Sequence, residues 1–339
     1  MFKTILAATD QVTDRDPLVE TAAHLAAANH GRLFILHVLE SASTQNRRWV
    51  KHYATGEEFQ CDKDYEDKVQ QHLLAAHHAA IDIAPESHIR VVTGYPWEEI
   101  LRGARQDDAD LIVVGPHSSR ASQKGVVRVV GQVGSTVEGV IRREKCPVMI
   151  VNPQLPGSIV GFTRILVGID FSAACECALC FAGRLARFYG ASVFAFHMIP
   201  IPPYPKYTGR DFKADKSSAS ERLMYFCREY LEETDWSCHI EGGVQPHQEL
   251  LRCAEKVNAE LIVLGSHTRE SQGKWYPGSA VERVSYRAGC PVIVINDPEA
   301  LQPWQDMQAS LAKAKQPKDR YIHVFTARTA HEPSKKTDQ

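Results

Sequence analysis

Two short stretches carry the residue types that hold phosphate. Toward the C-terminal end, Gly265-Ser-His267-Thr268 is followed after nine residues by Gly278-Ser279-Ala280, at the head of the amphipathic segment VERVSYRAG. A helix N-terminus offers unpaired backbone N–H groups and the positive end of the helix dipole, a combination that suits an anion. Gly278 lets the backbone approach closely, and Ser279 adds a hydroxyl donor. Earlier in the chain, Gly115-Pro-His117-Ser118 is followed after fifteen residues by Gly134-Ser135-Thr136. That longer loop holds Arg120, Lys124 and Arg128. Asp10 and Asp170 each close a strand-like apolar run, TILAAT and RILVGI.

Each of these features also has a plainer reading. The glycines fit tight strand-to-helix turns without any ligand. Asp10 and Asp170 suit N-caps of the following helices, and Asp170-Phe-Ser172 offers two capping candidates. His37 and His197 recur in apolar runs and read as core or crevice-edge histidines. His117 and His267 sit inside the loops, where contact with ribose or phosphate is open to them. Cys175, Cys177 and Cys180 form C-x-C-x-x-C without an evident fourth ligand, so they read as small buried hydrophobes. His72, His77 and His78 do not share one helix face and make no zinc site.

The elements that must position these residues follow from an internal duplication. Phe2–Asp10 (FKTILAATD) matches Phe162–Asp170 (FTRILVGID), and FILHV (34–38) matches FAFHM (194–198). YPWEEILR (95–102) matches QPHQELLR (245–252), ADLIVVGPHS (109–118) matches AELIVLGSHT (259–268), and CPVMIVN (146–152) matches CPVIVIN (290–296). A repeat of this length is a domain, not a solenoid unit. Within each copy, short uninterrupted apolar runs alternate with amphipathic stretches such as PLVETAAHLAAANHG and ECALCFAGRLARFYG, which end at Gly31 and Gly190. Uninterrupted apolar strands joined by helices imply a parallel sheet covered on both faces. The expected fold is α/β: two tandem Rossmann-like domains, each an open five-stranded parallel sheet of order 3-2-1-4-5 with helices on both faces. The first spans 1–152 and the second 162–296, with a linker at 153–161 and a C-terminal extension at 297–339, partly helical and then flexible. The segments around Trp49–Tyr53 and Ile201–Tyr207 (IPPYPKY) read as loops over the crevice, where a partner-binding polyproline segment is the weaker alternative. In such sheets ligands bind beyond the carboxyl ends of the strands, where the order reverses.

Composition excludes several classes. The 339 residues carry a formal charge of −2 and are 44% hydrophobic and 24% charged. A sequence pI near 6.7 gives no electrostatic case for nucleic acid or an anionic membrane. No apolar run reaches the roughly 18 residues that cross a bilayer. The start, MFKTILAATD, runs directly into a strand pattern and does not read as a secretory signal. Nine cysteines, an odd and scattered set, favour a reducing cytoplasm. Neither G-x-x-x-x-G-K-[ST] nor G-x-G-x-x-G occurs, and no nucleophile–base pair or carboxylate cluster is evident, so the chain does not read as an enzyme.

In combination, the strand-terminal Asp, the Gly-x-x-Gly-like loop, the Gly-Ser/Thr pair and the Cys-Pro-Val run resemble the universal stress protein family, in its tandem form. The resemblance implies a stress-response protein that binds ATP, with or without magnesium, or a related adenine nucleotide. It implies a site in the second domain at Asp170, Met198, Leu264, Gly265, His267, Thr268, Gly278, Ser279 and Ala280. The corresponding positions in the first domain are Asp10, Val38, Val114, Gly115, His117, Ser118, Gly134, Ser135 and Thr136. It further implies pairing of the two last strands within one molecule, with a homodimer as another arrangement. Thr268 and Ser118 replace the second glycine of the motif, which leaves a ligand-free docking scaffold as an alternative. A slow ATP hydrolase is a second alternative.

Overall fold

A computed structural model describes residues 1–11, 15–42, 48–52, 55–116, 133–155, 159–201, 207–266 and 280–295. The C-terminal extension expected at 297–339 lies outside the described residues. The first half runs β1 (Thr4–Ala8), α1 (Pro17–Ala28), β2 (Arg32–Glu40), β3 (Trp49–Lys51), β4 (Glu58–Gln60), α2 (Lys63–Ala76), α3 (His78–Ile83), β5 (Ser87–Gly94), α4 (Pro96–Gln106), β6 (Leu111–Val114), α5 (Ser135–Arg143) and β7 (Val148–Ile150). The second runs β8 (Arg164–Gly168), α6 (Ala173–Tyr189), β9 (Ser192–Pro200), α7 (Gly209–Leu231), β10 (Trp236–Gly243), α8 (Pro246–Lys256), β11 (Leu261–Gly265), α9 (Ala280–Arg287) and β12 (Val292–Ile295).

The apolar runs form one ten-stranded sheet of order β10-β9-β8-β11-β12-β7-β6-β1-β2-β5. Each half has the order 3-2-1-4-5 and is parallel throughout. The halves meet where β12 pairs antiparallel with β7, with Met149 opposite Ile293. These two residues are equivalent in the duplication, so the seam is a local two-fold axis. Because the seam is antiparallel, the carboxyl ends of the two sets of strands point to opposite edges of the sheet. One face carries α4, α5, α8 and α9 over a core that runs through both halves, from Leu6, Leu36 and Ile112 to Leu166, Ile262 and Val294. Across the other face, Phe2 packs on Phe181 of α6 at 6.4 Å, and Asn29 donates to the Tyr189 hydroxyl at 3.2 Å.

Local signals explain most helix ends. Pro17, Pro96 and Pro246 occupy first-turn positions, where the missing N–H costs nothing. Gly190 stops α6 in the left-handed region at φ +68°. Gly31 does not stop α1: the left-handed turn falls on His30 at φ +51°, after the C-cap Asn29. Gly31 is needed instead for close packing, because a Cβ there would lie 2.6 Å from the Phe2 carbonyl oxygen. The segment expected as a loop at Trp49–Tyr53 contains β3, which pairs with β4 as a short hairpin. Val50 anchors it, fully buried with Leu39, Cys61, Val69 and Leu73. In the second half Ile201 and Tyr207 are described, but residues 202–206 are outside the described set.

The position just before the fourth strand of each half holds an acid, with opposite electrostatics in the two halves. Asp110 accepts from the Lys3 and Thr4 amides at 2.7 and 3.3 Å, and burial pushes its carboxyl above the ordinary range despite these bonds. Glu260 accepts from the Thr163 amide and hydroxyl at 2.6 and 2.8 Å and pairs with Arg164 at 2.9 Å. Burial works against its charge, but these partners outweigh it and hold the carboxyl below the ordinary range. A lowered folded-state pKa adds stability above the unfolded value that is lost as pH falls through the folded one. Urea unfolding midpoints measured from about pH 6 down to about pH 3 are therefore expected to fall less steeply for Glu260→Gln than for the parent chain. An equally steep fall would show that Glu260 adds nothing to the acid sensitivity of the fold. Asp110 has the opposite sign: its contribution is present below the unfolded pKa and is lost as pH rises through the folded one.

Candidate functional site

At the carboxyl end of β8 the chain passes Ile169 and turns through Asp170, Phe171 and Ser172 into α6. The Ile169 amide donates to the Phe196 carbonyl at 2.7 Å, holding the turn against β9. Asp170 is exposed, and its Oδ1 accepts from the Ser172 amide at 3.0 Å and hydroxyl at 2.6 Å. The cap of α6 is Ser172, whose Oγ accepts from the Cys175 amide at 3.2 Å. Asp170 is thus not the N-cap; it braces the residue that is. Phe171 takes the left-handed conformation at φ +63°, uncommon for a bulky residue. Its ring lies 4.7 Å from His197 and 5.4 Å from Phe226, with the Arg222 guanidinium 3.9 Å from its centroid. His197 donates from Nδ1 to the Ile169 carbonyl at 2.9 Å. Burial pushes its pKa below the ordinary value, Arg222 adds to the fall, and the Ile169 carbonyl and Asp170 act against it.

The first half repeats this arrangement with other residues. The Thr9 amide donates to the Leu36 carbonyl at 3.0 Å, and His37 donates from Nδ1 to the Thr9 carbonyl at 3.0 Å. Asp10 again is not the cap. Asp16, 2% exposed, caps α1 by accepting from the Leu18 amide at 3.0 Å, and its other oxygen accepts from the Thr9 hydroxyl at 2.5 Å. Burial raises the Asp16 pKa, and the same cause lowers that of His77, which sits beside it at the break between α2 and α3. Neither Asp16 nor His77 is among the site residues that the sequence pattern points to. The Asp16-Pro17 pair carried the signal for the cap, since Asp before a first-turn Pro marks a helix start.

The fourth strands complete each crevice. Val114 and Leu264 are buried, while Gly115 and Gly265 are half-buried. Val38 and Met198, near the ends of β2 and β9, pack against the shared core. In the first half the Gly134 amide donates to the Pro116 carbonyl at 2.8 Å, which sets the start of α5 beside the end of β6. No side chain caps α5 at Gly134, and Ser135 and Thr136 form its first turn. The crevice elements β1, β6 and the start of α5 therefore converge, as do β8 and β11 in the second half. Ala280 opens α9. His117, Ser118, His267, Thr268, Gly278 and Ser279 lie outside the described residues. Cys175, Cys177 and Cys180 are buried along α6, and all nine cysteines, each among the described residues, lack disulfides. Among the described residues, no group of three or more His, Cys, Asp or Glu is placed to hold a metal ion. No described helix is long and apolar enough to cross a membrane.

This duplicated architecture has close counterparts. The model of the universal stress protein family matches residues 1–152 and again 161–296. A universal stress protein of Mycolicibacterium smegmatis is 26% identical over 300 residues, covering 86% of this chain and 96% of that protein. Universal stress proteins of Mycobacterium tuberculosis are 29% identical over 197 residues, a match that takes in 56% of this chain and only 62% of theirs. Among solved structures, a universal stress protein from Archaeoglobus fulgidus superposes with a TM-score of 0.58 at 23% identity, covering 86% of this chain and 98% of that one. A Pseudomonas aeruginosa protein gives the same score at 14% identity over 91% of this chain, a likeness of fold alone. With two consecutive matches that together span most of its length, the chain belongs to the universal stress protein family as a tandem, two-domain member.

Proposed function

We propose that this stress-response protein binds ATP, with or without magnesium, or a related adenine nucleotide, and acts in the cytoplasm as a regulatory binding module. The observation that carries the reading is the helix start capped by a glycine beside the fourth strand. In the first half, the N-cap of α5 is Gly134, which has no side chain to cap the first turn, next to the strand that pairs with β1. Such a turn is suited to a phosphate chain. The second half repeats the elements, and its shorter Thr268-to-Gly278 spacing makes it the preferred site. There Asp170 and Met198 line the adenosine side, and Leu264, Gly265, His267 and Thr268 with Gly278, Ser279 and Ala280 hold the ribose and phosphates.

Native mass spectrometry of freshly purified protein is expected to show a co-purifying nucleotide. Equilibrium dialysis with labelled ATP is expected to give one tight equivalent, with Kd below about 1 mM. Gly278→Val should abolish that equivalent and Gly134→Val should leave it. No binding by a folded sample in that range would end the nucleotide reading in favour of a partner-docking scaffold. Hydrolysis faster than about 1 per second would make the protein an enzyme instead of a binding module.

A further inference from the structure

The turn that follows the first strand is built differently in the two halves. In the second, the Ser172 hydroxyl and amide both donate to Asp170 Oδ1, at 2.6 and 3.0 Å. A hydroxyl has one proton and two lone pairs, and here a lone pair takes the Cys175 amide at 3.2 Å. One side chain thus ties an exposed carboxylate to the first turn of α6. Phe171 lies between the two residues in the left-handed conformation, and its ring is held by His197, Phe226 and Arg222. In the duplication, Gln11 and Val12 take the places of Phe171 and Ser172, and valine has no hydroxyl to donate. The Gln11 amide donates instead to the Thr9 hydroxyl at 3.0 Å, which donates to the buried Asp16 at 2.5 Å. Glu176 stands at the place of Asp16 but accepts from the Tyr230 hydroxyl on α7. The first half therefore secures its turn through a buried acid, and the second through the acid at the strand end itself.

We propose that Ser172 is a positioning residue of the second-half site: by holding Oδ1, it aims the Asp170 carboxylate at the donor groups of the bound nucleoside. The proposal rests on the nucleotide reading of that half. An exposed carboxylate otherwise loses side-chain freedom when a ligand engages it, which weakens binding. Hydrogen bonds to a charged oxygen are short and strong, so two of them on Oδ1 fix the direction of the other oxygen before the ligand arrives. A carboxylate only accepts, so the group it meets is a ribose hydroxyl or the adenine amine and not a phosphate. Ser172 itself touches no ligand in this arrangement; it acts through Asp170.

Equilibrium dialysis of labelled ATP against the full chain and its variants tests the brace. Ser172→Gly removes the hydroxyl while keeping a residue that serves nearly as well at an N-cap, so α6 stays in place. It should weaken ATP binding about tenfold, and Ser172→Thr, which keeps a hydroxyl, should bind as the parent does. The decisive variant is the double one. If Ser172 acts through Asp170, Ser172→Gly combined with Asp170→Asn should bind no more weakly than Asp170→Asn alone, whereas a merely structural loss would add to it. Parent-like binding by Ser172→Gly, additive losses in the double variant, or equal losses in Ser172→Thr and Ser172→Gly would each overturn the proposal. A parent chain that binds no ATP would remove the nucleotide reading and the brace together; a parent that binds beside an unaffected Ser172→Gly would remove the brace alone.

Discussion

Gly265→Val is expected to lower the unfolding temperature of the chain by several degrees. Gly265 ends β11, and a Cβ built on it would lie 2.3 Å from the Ala174 carbonyl carbon, 2.4 Å from its oxygen and 2.5 Å from the Cys175 nitrogen. These are backbone atoms of the first turn of α6, so no rotamer change makes room. The turn is itself held by the Ser172 cap and by Cys175 Sγ donating to the Gly168 carbonyl at 3.4 Å. Overpacking of this kind costs about 1–3 kcal/mol and occasionally more. For a domain of 150–250 residues each kcal/mol moves the midpoint by about 2–4 °C. Gly190→Ala provides the yardstick. Gly190 has φ +68°, a Cβ there would meet nothing within 4 Å, and the substitution carries only left-handed strain of about 1 kcal/mol. Calorimetry should place Gly265→Val below Gly190→Ala; the reverse order would mean that α6 yields easily. Because the same contact fixes the distance between the Asp170 turn and the end of β11, Gly265→Val should also weaken nucleotide binding.

The strand order was legible because two physical constraints converged. Uninterrupted apolar runs such as DLIVVG and ELIVLG permit only strands buried on both faces, and right-handed crossovers limit their order. Repetition of the pattern then placed the same chemistry twice. The caps were harder to place. Asp10 and Asp170 sit where a helix start is plausible, but α1 begins only at Pro17 and α6 only at Ala173. Loop length decides which acid or hydroxyl reaches the first turn, and sequence pattern does not encode it. The β3–β4 hairpin was illegible for another reason: strands of three residues have no measurable period, and Val50 becomes a core residue only through packing against α2. Phe171 shows the same limit at the candidate site. Its left-handed backbone and its stack on His197, Phe226 and Arg222 depend on α7 returning over β9, a tertiary relation with no local signature.

The first half expressed alone, residues 1–155, is expected to form a dimer through β7. In the intact chain β7 is covered by β12, and the six paired residues, Val148, Met149, Ile150, Val292, Ile293 and Val294, are at most 1% exposed. Removing the second half would leave an apolar edge with unpaired backbone groups, which readily recruits another strand. The seam already places equivalent residues opposite each other, Met149 against Ile293, so a second copy of β7 can take the place of β12 with Met149 opposite Met149. Such a closed two-fold interface terminates assembly at two copies. Sedimentation velocity should find the isolated half at twice its chain mass, and Met149→Asp should return it to a monomer. In the full chain the same substitution would bury an unpaired charge at the centre of the sheet, at a cost of several kcal/mol. A monomeric parent half would show that the last strands need each other's particular side chains, and that the two halves have diverged too far for either to stand in for its sibling.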